Sequence, residues 1–184
     1  IAQALRDGTA GVAVSDGSFK DKFGTAARVI EGHRADGQVD GQCIIPGGPE
    51  DQSAYRSELG GLYAIAAMVQ VICELHNIQE GSIEVACDGM NALAQVGEAD
   101  PIIRPNGAQY DIIAATQAKI KRTNIQWKMR HVMGHQDDTQ GCTVMDRWET
   151  LNCMMDERAK QHWQHHSTRT TRVQEAVDGE PWAV

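Results

Sequence analysis

Four acidic residues lie in or beside apolar segments, where a carboxylate is costly to bury unless it is paired, hydrogen-bonded or bound to a metal ion. Asp16, in "AVSDGSF", falls on the same strand face as Val14, because strand side chains alternate with a period of two. Glu58 borders the apolar stripe of a long helix, Asp88 follows the apolar strand "SIEVAC", and Asp156 lies in "NCMMDERAK" near an apolar helix face. If the four converge, divalent cations would offset their repulsion, and hard oxygen ligands of this kind suit Mg²⁺ or Mn²⁺.

Each acid also has a purely structural interpretation. Asp16 could be a turn residue, and Asp88 could cap the helix that follows it. Glu58 could be a first-turn acid that suits the helix dipole, and Asp156 could pair with Lys160, four residues further on. The four acids taken together, rather than any one alone, favour a shared site.

The elements that would position these acids follow from hydrophobic periodicity. Short β-branched runs separated by turns predict an antiparallel meander in the first third of the chain. Strand–helix alternation afterwards predicts a mixed sheet covered by helices. The expected strands are 11–15, 25–31, 39–45, 82–88 and 125–132, and the expected helices are 53–76, 89–96, 108–122 and 147–165.

Composition limits the class of protein. The 184 residues, 41% of them hydrophobic, are enough for one domain with a core, predicted at 11–165 between an N-terminal extension (1–10) and a polar tail (166–184). No apolar run approaches the roughly 18 residues needed to cross a bilayer, so no membrane contact is expected. Five cysteines without a CxxC pair predict an intracellular protein, in the cytoplasm or nucleus. The net charge of −8 argues against tight, charge-driven nucleic-acid binding and suits a protein that concentrates cations.

Four ordered stretches carry a resemblance to a known family. The stretches "AVSDGSF", "YRSELGGLYA", "EVACDGMNAL" and "HVMGHQDD…LNCMMDERAK" run from about Val12 to Lys160. They resemble ribonuclease H, and more closely the ribonuclease H domains of retroelement reverse transcriptases. The resemblance implies an α/β fold with a five-stranded mixed sheet in the order 3-2-1-4-5, the first three strands antiparallel, and helices on both faces.

The resemblance also implies an activity and a set of catalytic residues. It points to an endoribonuclease that hydrolyses the RNA strand of RNA·DNA hybrids by a two-metal mechanism and leaves 5′-phosphate products. It assigns two Mg²⁺ ions, or Mn²⁺ in their place, to Asp16, Glu58, Asp88 and Asp156. It gives His135, in "VMGHQ", a role in proton transfer or product release.

The expected partners are the hybrid substrate and a flanking domain. RNA would be distinguished from DNA by its 2′-hydroxyl groups in the minor groove. "QSAYRSE" stands where familiar cellular ribonucleases H have "TNNRAE", so their groove asparagines are replaced. The residues expected to contact the hybrid are Gly17, Ser18, Arg56 and Ser57, with Lys128, Arg130 and the basic run 119–122 as candidates for the DNA strand.

The ends of the chain predict that it was cut from something longer. The first residue is Ile1 rather than Met, and the chain stops abruptly at the apolar stretch "GEPWAV". With the resemblance, this predicts excision from a retroelement polyprotein in which a reverse transcriptase domain flanks this one. The excised domain itself is expected to be a monomer.

Three other functions remain open on sequence alone. The first is a catalytically silent tethering domain, although a tether does not need all four acids. The second is another nuclease or an integrase, which the "GH" loop and the "ERAK" after the fourth acid disfavour. The third is a structural zinc site of mixed ligands with no tight zinc spacing: His131, His135, Cys142 and Cys153. The rival fourth carboxylates are Asp137, Asp138 and Asp146.

Overall fold

Five helices and five strands form in residues 1–7, 11–32, 37–97, 107–134 and 145–167, which the computed structural model describes. Their order along the chain confirms the predicted succession of strands and helices and adds one helix at its start. The elements are α1 (Ala2–Arg6), β1 (Gly11–Lys20), β2 (Phe23–Glu31), β3 (Gln38–Ile44), α2 (Ala54–Leu75), β4 (Ser82–Cys87), α3 (Met90–Gly97), α4 (Tyr110–Lys121), β5 (Gln126–His131) and α5 (Arg147–His166).

The strands form a mixed sheet in the order β3-β2-β1-β4-β5. The pairs β1–β2 and β2–β3 are antiparallel, whereas β4 runs parallel to β1 and β5 runs parallel to β4. This is the sheet that the sequence predicts. Because the parallel strands β1, β4 and β5 point the same way, their carboxyl ends share one edge, where α/β sheets carry their sites.

Helices α2 and α5 cover opposite faces of the central strand β1. Ala13 belongs to an apolar cluster with Leu59 of α2, whereas Val14 belongs to a second cluster with Leu151 and Met155 of α5. Since strand side chains alternate, Asp16 shares the α5 face with Val14. The two core clusters therefore fix β1 from both sides, and Asp16 lies at the end of its buried stretch.

The apolar helix α2 is the central helix of this arrangement. It starts at the N-cap Ser53, whose hydroxyl accepts a hydrogen bond from the Arg56 N–H at 3.0 Å. By length and composition alone, Ala54–Leu75 is long and apolar enough to cross a membrane, and half of that stretch is buried inside the protein. The sequence-based statement that no apolar run approaches this length is therefore wrong for α2. The core helix of a soluble protein can be equally long and apolar.

The first hairpin is longer than the sequence predicts. β1 continues to Lys20, five residues beyond its expected end, and a two-residue turn leads directly into β2. Asp21 and Lys22 both adopt left-handed φ angles there, 53° and 57°, in a turn that usually carries Asn or Gly. Asp16 therefore lies inside the strand opposite Ala27, not in a turn.

Helix α1 is absent from the sequence-based prediction. It has only five residues and no side-chain N-cap, so no start signal marks it. Its Leu5 is fully buried and belongs to the α2-side core cluster. The described part of the predicted N-terminal extension is thus packed onto the sheet and its helices.

Candidate active site

The four predicted carboxylates come from β1, α2, the residue after β4, and α5, and the other three lie within electrostatic reach of Asp16. Asp16 lies in β1, Glu58 in the second turn of α2, Asp88 immediately after β4, and Asp156 in the middle of α5. Asp88, Asp156 and Glu58 all act electrostatically on Asp16, and Asp88 also acts on Glu58. We call these four residues the acid cluster. Glu58 is not a first-turn acid of its helix, so that structural interpretation is wrong.

Asp16 is the most perturbed member of the acid cluster. Only 6% of the surface of Asp16 is exposed to solvent. Burial, followed by the charges of Asp88, Asp156 and Glu58, raises the pKa of Asp16 from 3.8 to about 8, although the Gly17 N–H donates to Oδ1 at 2.6 Å. Neighbours that hold a carboxyl group protonated near neutral pH also make a bound cation strongly favourable there.

Two glycines, each directly after a cluster aspartate, leave room for Glu58. A Cβ on Gly17 would lie 2.6 Å from the Ser57 carbonyl carbon and 2.7 Å from the Glu58 nitrogen. A Cβ on Gly89 would overlap the Glu58 carboxylate itself. Burial, and then the charge of Asp88, raises the pKa of Glu58. The close approach of α2 to β1 and to the end of β4 therefore depends on missing side chains.

Asp88 is held between β4 and the end of β5. The ring nitrogen Nε2 of His131 lies 3.0 Å from the Asp88 carbonyl oxygen and donates to it when it carries the proton. A Cβ on Gly134 would come within 2.5 Å of Asp88 Oδ2, so the backbone there passes against the carboxylate. His135 lies outside the described residues, although it is the next residue after Gly134. Its assisting role stays a prediction.

Asp156 pairs with Lys160 as one structural interpretation predicts. The Lys160 Nζ atom lies 2.6 Å from Asp156 Oδ2, and the two side chains are 51% and 14% exposed. This ion pair does not remove Asp156 from the acid cluster, because its charge still acts on Asp16. The Asp156 carboxylate therefore takes part both in the ion pair with Lys160 and in the acid cluster.

Asn152 is a site residue that the sequence analysis missed. It lies one turn before Asp156, is 1% exposed, and its Nδ2 atom lies 3.4 Å from Asp16 Oδ2. Its Oδ1 atom is buried and has no hydrogen-bond partner among the described residues. The available signal was a polar residue directly after Leu151, on the buried face of an otherwise amphipathic helix.

The four predicted substrate-contact residues divide into two groups. Gly17 and Ser18 are half-buried beside the acid cluster and retain access to solvent. Ser57 is fully buried, and its hydroxyl lies 3.2 Å from the Ser53 carbonyl and 3.3 Å from the Ser18 carbonyl. The Ser57 side chain therefore joins α2 to β1, and the structure does not support its direct contact with a substrate.

Arg56 is also occupied within the protein. It is 3% exposed, its Nε donates to the Pro46 carbonyl at 2.8 Å, and its guanidinium forms an ion pair with Asp111 and donates to Gln109. Burial alone would raise the pKa of Asp111, but the hydrogen bonds and charge of Arg56 outweigh it and lower that pKa. The side chain fastens the loop before α2 to the start of α4. The structure thus gives Arg56 a structural role, and its predicted contact with a substrate stays a prediction.

Arg130, a candidate for contact with the DNA strand, also has partners inside the protein. Its Nε lies 2.5 Å from a Glu84 carboxylate oxygen on the neighbouring strand. Its guanidinium lies 4.8 Å from the centre of the Trp148 ring. A contact of Arg130 with nucleic acid would have to be made from this paired position.

The donor chemistry of the acid cluster fits divalent cations. Within the described ranges, no three or more His, Cys, Asp or Glu side chains are already spaced to hold one metal ion. The four carboxylates of the acid cluster nevertheless offer the hard oxygen donors that Mg²⁺ and Mn²⁺ prefer. Of the alternative zinc ligands, His131 and Cys153 are described, whereas His135 and Cys142 lie outside the described residues.

Similarity to known proteins is found in structure but not in sequence. No protein-family profile and no curated protein sequence matches the chain. The structure of LC11-RNase H1 in complex with an RNA/DNA hybrid is similar with a TM-score of 0.55 at 11% identity, over 81% of this chain and 98% of that one. A second structure of LC11-RNase H1, isolated from compost by a metagenomic approach, gives 0.53 at 11% identity, over 83% and 97%.

Part of a viral enzyme is similar as well. The foamy viral protease-reverse transcriptase in complex with an RNA/DNA hybrid gives a TM-score of 0.54 at 15% identity, over 83% of this chain and 20% of that one. At these identities the similarity establishes the fold alone. The strand order 3-2-1-4-5, with its mixed directions and helices on both faces, agrees with it. This chain therefore has the ribonuclease H fold.

Proposed function

We propose that the protein is an endoribonuclease that hydrolyses the RNA strand of RNA/DNA hybrids with the help of divalent metal ions. The acid cluster carries the proposal, because four carboxylates from β1, α2, the end of β4 and α5 meet where Asp16 has a pKa of about 8. A structural domain gains nothing from such repulsion. Two of the similar structures are described as complexes with an RNA/DNA hybrid, which supports the choice of substrate.

The chain's own residues would hold the ions and orient the scissile phosphate. The carboxylates of Asp16, Glu58, Asp88 and Asp156 would hold two Mg²⁺ ions, or Mn²⁺ in their place. When bound, the ions supply an activated water and a counter-charge for the phosphate and the leaving 3′-oxygen. Asn152 would keep the Asp16 carboxylate in one orientation. The products are a 5′-phosphate and a 3′-hydroxyl.

Residues around the acid cluster would take the remaining roles. His135 would move a proton or assist release of the product, and the residue before it, Gly134, lies against Asp88, which supports this role. The backbone at Gly17 and Ser18 remains accessible beside Asp16 and would contact 2′-hydroxyl groups, the feature that separates RNA from DNA.

We also infer a larger molecular context. The foamy viral enzyme is about five times longer than the part that this chain matches, since the match covers 20% of it. We infer that this chain is likewise the ribonuclease H part of a reverse transcriptase polyprotein from a retroelement. Sequencing the transcript that encodes it tests this directly: an adjoining reverse transcriptase frame is expected, and its absence would contradict the inference.

A cleavage assay tests the enzymatic proposal. An end-labelled RNA/DNA hybrid is incubated with the protein in Mg²⁺ and in EDTA, beside the isosteric variant Asp88→Asn. We expect Mg²⁺-dependent products with 5′-phosphates and a loss of roughly 100-fold or more in the variant, because the cluster stabilises charge in the transition state.

The controls separate the alternatives. Duplex RNA and duplex DNA are offered under the same conditions, and neither should be cleaved at a comparable rate. Equal cleavage of hybrid by the parent and by Asp88→Asn, or none by either, would support a silent tethering domain instead. Preferred cleavage of duplex DNA would support another nuclease of this fold.

A further inference from the structure

The acid cluster has a cation of the chain itself at its edge. Lys160 Nζ lies 2.6 Å from Asp156 Oδ2, and the two residues are one helical turn apart in α5. Asp156 is only 14% exposed, so its carboxylate is shielded from water, whereas Lys160 is 51% exposed and its stem can swing into solvent. The ammonium therefore occupies one of the two oxygens through which Asp156 could hold a metal ion.

This pair differs from an ordinary surface ion pair on the same helix. Asp156 raises the pKa of Asp16 and so belongs to a group of mutually repelling charges. By contrast, Arg158 of the same helix pairs with Asp40, a strand residue with no part in the cluster. A positive charge beside Asp156 offsets part of the repulsion in the metal-free state. The same charge must be displaced, or its interaction lost, when a divalent ion takes that oxygen.

We propose that Lys160 is a built-in counter-cation that lowers the affinity of the acid cluster for divalent ions and so sets the metal concentration at which the site fills. The inference rests on the proposed function, because it assumes that Asp156 is a metal ligand. Lys160 acts here as a positioning residue through Asp156 and makes no contact with the reacting atoms.

Direct metal binding tests the proposal without using activity. Mn²⁺ is titrated into the hybrid-free protein by calorimetry for the parent, Lys160→Gln and Lys160→Arg. We expect Lys160→Gln to bind Mn²⁺ roughly threefold to tenfold more tightly than the parent, the range for losing one partly buried charge pair. Lys160→Arg keeps the charge and should bind within about twofold of the parent.

Two controls tie the effect to Asp156. Lys121→Gln, in the last turn of α4, removes the same formal charge and should change Mn²⁺ affinity by less than about twofold. In an Asp156→Asn background, Lys160→Gln should no longer tighten binding, because the pair is already broken. An effect of equal size in that background would overturn the proposal, since it would be a general charge effect.

The outcomes also separate this inference from the proposed function. Unchanged or weaker Mn²⁺ binding in Lys160→Gln, with hybrid cleavage intact in the parent, overturns the role of Lys160 alone. Absence of Mn²⁺ binding in parent and variant overturns both the role and the metal-dependent function. Tighter binding in Lys160→Gln without any hybrid cleavage supports the role and overturns the cleavage proposal.

Discussion

Asp16 is a carboxylate that the fold holds in an environment unfavourable to its ionised form. A carboxylate on a valine face is unfavourable, and three further acids around it make ionisation harder still. The polar atoms next to it offer limited compensation: the Gly17 N–H at 2.6 Å and the Asn152 amide at 3.4 Å. The metal-free site is therefore a strained arrangement whose cost should depend on pH.

The first prediction concerns that pH dependence. With a pKa of about 8 in the folded state and 3.8 as its ordinary value, Asp16 keeps a proton that the unfolded chain has released. Between about pH 4 and about pH 8 the folded state binds more protons, so the free energy of unfolding falls as pH rises, by up to about 1.4 kcal/mol per pH unit. Urea unfolding in EDTA at several pH values measures this slope.

The matched variant for this measurement is Asp16→Asn, which keeps the shape and removes the ionisation. Its free energy of unfolding should exceed that of the parent at pH 8 and vary less between pH 5 and pH 8. Adding Mg²⁺ to the parent should flatten the slope as well, because a bound cation favours the ionised carboxylate. A slope that persists unchanged in Asp16→Asn would assign the pH dependence to other groups.

Residues whose type contradicts their surroundings can be recognised in the sequence, whereas residues whose role depends on tertiary packing cannot. Asp16 and Glu58 could be predicted because an acid interrupts an apolar pattern. Arg56 and Ser57 look like surface residues in "YRSE", yet the start of α2 packs against β1 and the start of α4, which buries both. No local pattern reports such tertiary contacts. Asn152 carries a visible signal but needed its distance from Asp16 to be recognised.

At the scale of elements, the approach of α2 to β1 decides where Glu58 stands. A Cβ on Gly17 would lie 2.8 Å from the Ser57 Cβ and a Cβ on Gly24 2.5 Å from the Ser57 hydroxyl oxygen, so the hairpin and α2 fit only without side chains at these two positions. The helix is anchored further by the guanidinium of Arg56, which holds the loop before it. The Glu58 carboxylate is thus positioned by the packing of the α2 backbone against β1 and the end of β4.

The second prediction tests this packing with Gly17→Ala. The added Cβ would lie 2.6 Å from the Ser57 carbonyl carbon, so α2 must move away from β1. We expect a loss of about 1–3 kcal/mol in the free energy of unfolding and a lower kcat, since Glu58 moves with its helix. Gly41→Ala is the control, because its Cβ meets only the flexible Arg28 guanidinium at 3.0–3.2 Å. Equal effects of the two variants would contradict the argument.

The third prediction separates the structural role of Arg56 from a substrate contact. Arg56→Met and Asp111→Asn both break the ion pair between the loop before α2 and the start of α4. Each should lower the free energy of unfolding by about 1–3 kcal/mol, and the stability that Asp111 contributes should fade as pH drops, because its folded-state pKa is lowered. Their KM values for the hybrid should agree. A raised KM in Arg56→Met alone would restore the substrate contact.

Element boundaries show where sequence patterns stop being informative. Long helices such as α2 and α5 are predicted to within one residue at each end, because their apolar stripes and caps coincide. The sequence predicts a turn over 19–24, whereas only Asp21 and Lys22 lie between the paired strands, and Lys22 is an unusual residue for a left-handed φ angle. Pairing with β2 over nine residues extends β1 regardless of that local preference.

At the scale of the whole molecule, an acidic protein is proposed to act on a polyanionic substrate. The net charge of −8 works against association with a hybrid, and of the two candidates for DNA contact on β5, Lys128 and Arg130, Arg130 is paired with Glu84. Attraction should therefore come from cations held at the acid cluster and from hydrogen bonds to the hybrid. The alternation of elements predicts a mixed sheet and the resemblance to ribonuclease H implies its strand order, whereas this distribution of paired and unpaired charge depends on the packed structure.

The fourth prediction follows from that charge balance. A protein that makes 6–10 phosphate contacts loses roughly 10³–10⁵ in affinity between about 50 and 200 mM salt. With few basic contacts, kcat/KM of this protein for the hybrid should fall by only about tenfold over the same KCl range at fixed Mg²⁺. Single-turnover rates at saturating protein provide the control, since they should stay nearly constant. A fall of about 10³ would reveal an extended basic surface and would contradict the view that bound cations, rather than lysines and arginines, draw the substrate to the acid cluster.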